Sequence, residues 1–121
     1  MSLLEFHGRL GSTAMLFALG LGIWGLFLYF RKQGPSGGFL GGLVIGEVVF
    51  ILQAVLGGVL YFSGFPLAKA VHILYGALGV LAVPAAYTYT RGGTERRDAL
   101  IYGFVCLFLF GVALRAITTA H

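Results

Sequence analysis

Charge is scarce in this sequence. Of its 121 residues only 10% are Asp, Glu, Lys or Arg, against roughly 25% in an average soluble domain. Just four are acidic, and only Glu47 lies deep in an apolar stretch. A soluble fold could not hide from water the 59% of residues that are hydrophobic; the mean hydropathy of +0.95 calls for lipid. Cysteine is nearly absent too. A lone Cys106 excludes an internal disulfide, and the lack of Cys-x-x-Cys-His excludes covalent haem attachment. Of three prolines, only Pro84 falls inside an apolar run, where it is expected to kink a helix. Period-two alternation is missing, which excludes a membrane barrel and leaves helices as the spanning structure.

What is present is four long apolar runs, from about Leu10 to Phe30, Phe39 to Phe62, Leu67 to Tyr89 and Ala99 to Thr118. Each meets the ~20 residues needed to cross the hydrocarbon layer. The expected fold is all-α: one integral membrane domain over residues 1–121, an up-down four-helix bundle with spans at about 8–31, 38–62, 67–90 and 98–118. The first run is too long for a signal-peptide core, and Glu5, His7 and Arg9 precede it, so it is expected to stay as a span. The connections Arg31–Gly37, Ser63–Pro66 and Arg91–Asp98 are short and rich in Gly and Pro.

The first and third connections share a side. They hold Arg31, Lys32, Arg91, Arg96 and Arg97, five of the eight basic residues; Arg9, Lys69 and Arg115 lie on the other. The excess of positive charge places the five-charge side in the cytoplasm of a plasma-membrane protein with both termini outside. It also explains the basic pI without a nucleic-acid partner.

A weak internal repeat brings out two histidines. His7-x-x-x-Gly11 opens the first helix and His72-x-x-x-Gly76 the third. The two helices run the same way, so the histidines have matched depth. Ionisable groups in spans are costly and usually mark function. Steps of three and four from His7 give Gly11, Ala14, Ala18, Gly22 and Gly25; from His72 they give Gly76, Gly79, Val83 and Ala86. Two neutral imidazoles above faces without bulk suit the two axial positions of one haem b per chain, with His7 and His72 as the iron ligands. Two ligands are too few for zinc. Haem carboxylates want cations, and Arg9 and Arg115 are candidates, Lys69 less so. The plainer reading of the small stripes is close helix packing, and of the cations, interface anchoring. His121 is read as solvated.

Glu47 and Gln53 are six residues apart on helix two, about 240° around it, so they do not share a face. With Gly38-x-x-x-Gly42-x-x-x-Gly46 on the same helix, this suggests that helix two meets a second copy or another membrane subunit. Glu47 could also relay protons or meet a quinone.

Three segments, Glu5-Phe6-His7-Gly8-Arg9-Leu10-Gly11, Leu52-Gln53-Ala54-Val55-Leu56-Gly57-Gly58 with Ser63-Gly64, and Val71-His72-Ile73-Leu74, together resemble one four-helix half of haem A synthase. The resemblance spans nearly the whole chain. It implies His7 and His72 as axial ligands, and Gln53 and Gly57 lining the pocket. The sequence departs from that family where Gly8 separates His7 from Arg9 and where Glu5 stands two, not three, residues before His7. The expected function is that of a membrane b-type cytochrome passing electrons within a respiratory or photosynthetic complex. The alternatives are a half-size haem A synthase acting as a homodimer, and a structural subunit without cofactor.

Overall fold

The computed structural model describes residues 2–62 and 70–119; the side chains of Leu3, Leu4, Leu60, Ala70, Val71, His72 and Thr119 lie outside that description. Four helices follow one another: α1 (Leu3–Phe30), α2 (Gly37–Phe62), α3 (Ala70–Thr90) and α4 (Arg96–Thr119). All four are long and apolar enough to cross a membrane. Large apolar side chains face outward, Phe62 at 87% and Leu16 at 60% exposure, while Ala14, Ala18, Ala99 and Cys106 are buried. That inversion of the water-soluble pattern is what a lipid-facing bundle requires. The chain is a multi-pass membrane four-helix bundle.

The helix boundaries follow local chemistry. α1 begins about five residues before the expected span, because Ser2 Oγ accepts the Glu5 N–H at 3.1 Å and caps it. Ser36 does the same for α2 through the Phe39 N–H. Asp98 Oδ2 accepts the Glu95 N–H at 3.0 Å and opens α4 at Arg96, two residues before the expected span. At their other ends α1 and α3 close alike. Lys32 and Arg91 take left-handed φ values of 59° and 54°, and the N–H groups of Gln33 and Gly92 reach back to Leu28 and Tyr87. α3 runs through Pro84, with the Thr88 hydroxyl bonded to the Pro84 carbonyl. Of the expected connections, Ser63–Pro66 lies outside the described residues, as do Leu67, Lys69 and His121.

Around the bundle the order is α1, α2, α3, α4, and back to α1; among the described residues the backbones of the diagonal pairs α1/α3 and α2/α4 stay apart, while Phe39 of α2 reaches Tyr102 of α4 across the core, ring centres 6.1 Å apart. The closest pair is α1 with α4, and glycine makes it so. A Cβ on Gly25 would lie 2.8 Å from Gly103 Cα, and one on Gly22 would lie 2.7 Å from Leu107. The inner half of the small-residue stripe below His7 therefore serves helix packing. The Gly38, Gly42 and Gly46 face of α2 is likewise covered by the chain's own Trp24, Leu21 and Phe17. That corrects the expectation of this face as a contact with another protein: the bulky partners its glycines admit are on α1.

Among the described residues the core is lopsided. Leu21, Leu28, Phe39, Leu43, Tyr102 and Cys106 form one cluster, all in the half of the bundle where connections one and three lie. There Trp24 and Phe39 meet edge to face at 5.4 Å, and the fully buried Tyr102 hydroxyl is 3.0 Å from Thr90 Oγ1, joining α4 to α3. In the other half the buried described residues are mostly small: Gly11, Ala14, Gly79, Val112 and Ala113, with Leu109 near the middle.

Candidate functional site

The half whose buried described residues are mostly small is the one that carries the histidines. His7 lies in the second turn of α1, half-buried. Its ring rests on Gly57 of α2, where a Cβ would come within 3.2 Å of His7 Cε1. One turn further along α1, Gly11 leaves room for Gln53, whose Nε2 would be 3.0 Å from a Cβ there. In that space Gln53 Nε2 donates to the His7 carbonyl at 2.9 Å. The two helices thus clasp reciprocally, each offering a glycine to the other's polar side chain. Gln53 Oε1 is buried and has no hydrogen-bond partner among the described residues.

On α3, position 72 stands seven residues before Gly79, two helical turns, and so on the same line as Gly79 and Ala86. That line faces the bundle: a Cβ on Gly79 would press on Phe50 of α2, and Ala86 is in the core. The side chain of His72 lies outside the described residues. α1 and α3 are diagonal, so His7 and position 72 belong to helices on opposite sides of the bundle, at the same end. Gly76, Gly58 and Gly111 in this half have nothing within 4 Å of where a Cβ would stand. Among the described residues no three His, Cys, Asp or Glu side chains gather as metal ligands.

Of the expected site residues, the structure brings His7, Gly11, Gln53 and Gly57 into one cluster and sets position 72 across the bundle from it. It does not bring in the two cations. Arg9 is exposed, two residues and about 200° around α1 from His7. Arg115 is exposed on α4, where it lines a groove against α3 with Tyr75 and Phe108. Gly76 is exposed. Glu47 is half-buried, on the same line as the buried Leu43 and not on the Gln53 face; its Oε2 is buried without a hydrogen-bond partner among the described residues. The Tyr102–Thr90 bond was not anticipated from the sequence, which marks neither residue by any pattern. Compared with protein-family models, with curated proteins and with solved structures, the chain finds no match.

Proposed function

We propose that the chain is a membrane b-type cytochrome, with one haem b between His7 of α1 and His72 of α3. The observation that carries this reading is the lopsided packing among the described residues. One half of the bundle is filled by Leu21, Phe39, Leu43 and Tyr102. The half with the histidines has mostly small buried residues among those described. Two imidazoles are too few for a bare ion, but a macrocycle brings its own equatorial nitrogens and needs only two axial donors. The donor chemistry therefore fits this group, and the small buried residues around it leave less side-chain bulk in that half than in the other. When bound, haem supplies one-electron transfer. The chain's part is to seat the His7 ring on Gly57, to fix its turn through Gln53, and to keep water out with the apolar bundle. Glu47 remains the one feature of α2 that favours a partner subunit or a second copy.

The test is a reduced-minus-oxidised spectrum with haem quantified per chain, on protein purified from its own membrane. One low-spin haem b per chain is expected, lost or sharply altered in His7→Ala and in His72→Ala. A colourless wild type, or a spectrum indifferent to both substitutions, overturns the reading. Extracted haem O or haem A would move the assignment to the synthase.

A further inference from the structure

The cations at the end formed by connections one and three are held in place, not merely collected. Connection one covers residues 31–36 and connection three 91–95. Arg31, Lys32, Arg91, Arg96 and Arg97 are all exposed there. Two of them lie on aromatic rings of α1. The Arg96 guanidinium is 4.1 Å from the Tyr29 ring centre, and its Nε donates to the Tyr29 carbonyl at 2.7 Å. The Arg31 guanidinium is 5.5 Å from the Phe27 ring centre. Phe27 and Tyr29 are two residues apart, about 200° around α1, so the two guanidiniums flank the end of that helix from opposite sides. The acids at this end are fewer, and one is turned inward. Asp98 is buried, with Oδ2 on the Glu95 N–H, which leaves Glu95 as the one exposed carboxylate beside five exposed cations.

We propose that this end binds the phosphates of anionic phospholipids in the leaflet it meets. Depth favours lipid over a soluble acidic partner. Phe27 and Tyr29 lie in the last turn of the α1 span, which ends at Phe30. Aromatic rings at span ends sit at headgroup level, and a guanidinium over such a ring is attracted to its face. Arg31 and Arg96 are thus kept beside the headgroups instead of reaching into water. The short connections add no platform above the membrane on which a protein could dock. The donors also suit phosphate. The bond from Arg96 to Tyr29 uses Nε and leaves four N–H groups on the two outer nitrogens, and a guanidinium fork matches two phosphate oxygens. Orientation in the membrane needs only the count of basic residues; binding needs them placed, and the rings place two of the five. The proposal stands whether or not the haem reading does.

The experiment is native mass spectrometry of the full chain in detergent, with phosphatidylglycerol or phosphatidylcholine added at equal concentration. Wild type is expected to keep phosphatidylglycerol at collision energies that strip phosphatidylcholine. Arg31→Gln and Arg96→Gln should each lower that preference roughly fivefold, the worth of one cation at an anionic surface. Arg31 is exposed just past the end of α1, so its variant keeps the test decisive should loss of the Arg96–Tyr29 bond unfold the chain. Arg9→Gln, at an exposed cation of the opposite end, should keep the wild-type preference. Equal retention of both lipids by wild type overturns the proposal, and so does a loss in Arg9→Gln as large as that in Arg31→Gln. Capture of an oligoglutamate peptide in preference to phosphatidylglycerol would assign the face to a soluble acidic partner and overturn it as well.

Discussion

Gln53 Nε2 donates to the main-chain carbonyl of His7 at 2.9 Å, and the approach exists only because Gly11 has no side chain. The carbonyl is that of the candidate ligand itself, so α2 holds the turn from which the imidazole projects. Gln53→Leu should cost about 1 kcal/mol of stability, the usual worth of one such bond within a membrane. Gly11→Ala should cost a similar amount by displacing the amide. The two effects are expected not to add: the double variant should match Gln53→Leu alone. Unfolding in mixed micelles measures this double-mutant cycle, and full additivity would show that Gly11 and Gln53 act separately.

The seat of the ring gives a sharper contrast. Gly57→Leu would drive a side chain into the His7 imidazole, whereas Gly58→Leu meets nothing within 4 Å. Haem content should therefore fall strongly in the first and stay near wild type in the second. Two adjacent glycines of the same helix make propensity and insertion effects nearly equal, so the difference reads the imidazole's position.

The α1–α4 contact is backbone against backbone. At Gly25 a Cβ would stand 2.8 Å from Gly103 Cα and 3.0 Å from the Ala99 carbonyl, and neither can swing aside as a side-chain tip can. Gly25→Leu should destabilise by about 2 kcal/mol or more, while Gly20→Leu, with open space around it, should stay within ~0.5 kcal/mol. Thermal unfolding in detergent compares the two.

These contrasts also show how far the sequence could be read. The four spans and their antiparallel order follow from hydropathy and short connections, and both are present. The start of α1 was not legible, because a hydropathy run ignores the charged first turn that Ser2 caps. Small residues at helical spacing announce close approach but not the neighbour. Thus Gly42 and Gly46, read as a surface for another protein, receive Leu21 and Phe17 of the same chain. Gln53 stood out as a polar residue in an apolar helix, but only the family resemblance set it beside the His7 site, since its partner is a carbonyl, which no side-chain pattern marks. The placement of Arg9 away from His7 was within reach, because a two-residue step on a helix points the other way.

Membrane orientation yields the last prediction. Connections one and three lie against each other: Gly34 sits on the Thr94 carbonyl with no room for a Cβ. Arg96 Nε donates to the Tyr29 carbonyl at 2.7 Å, with its guanidinium 4.1 Å from that residue's ring centre. Arg31, Lys32, Arg91, Arg96 and Arg97 are therefore gathered at one end of the bundle, all exposed. Basic residues flanking spans are retained on the cytoplasmic side, so this end should face inward. Cysteines at Ser36, Thr94 and Ser63, probed in intact cells with an impermeant maleimide, test it against a quiet background, because the native Cys106 is buried. Ser63→Cys should label, and Ser36→Cys and Thr94→Cys should not. The reverse result inverts the orientation while keeping the fold. Different labelling at Ser36 and Thr94 would contradict the bundle itself, because the structure packs their two connections together.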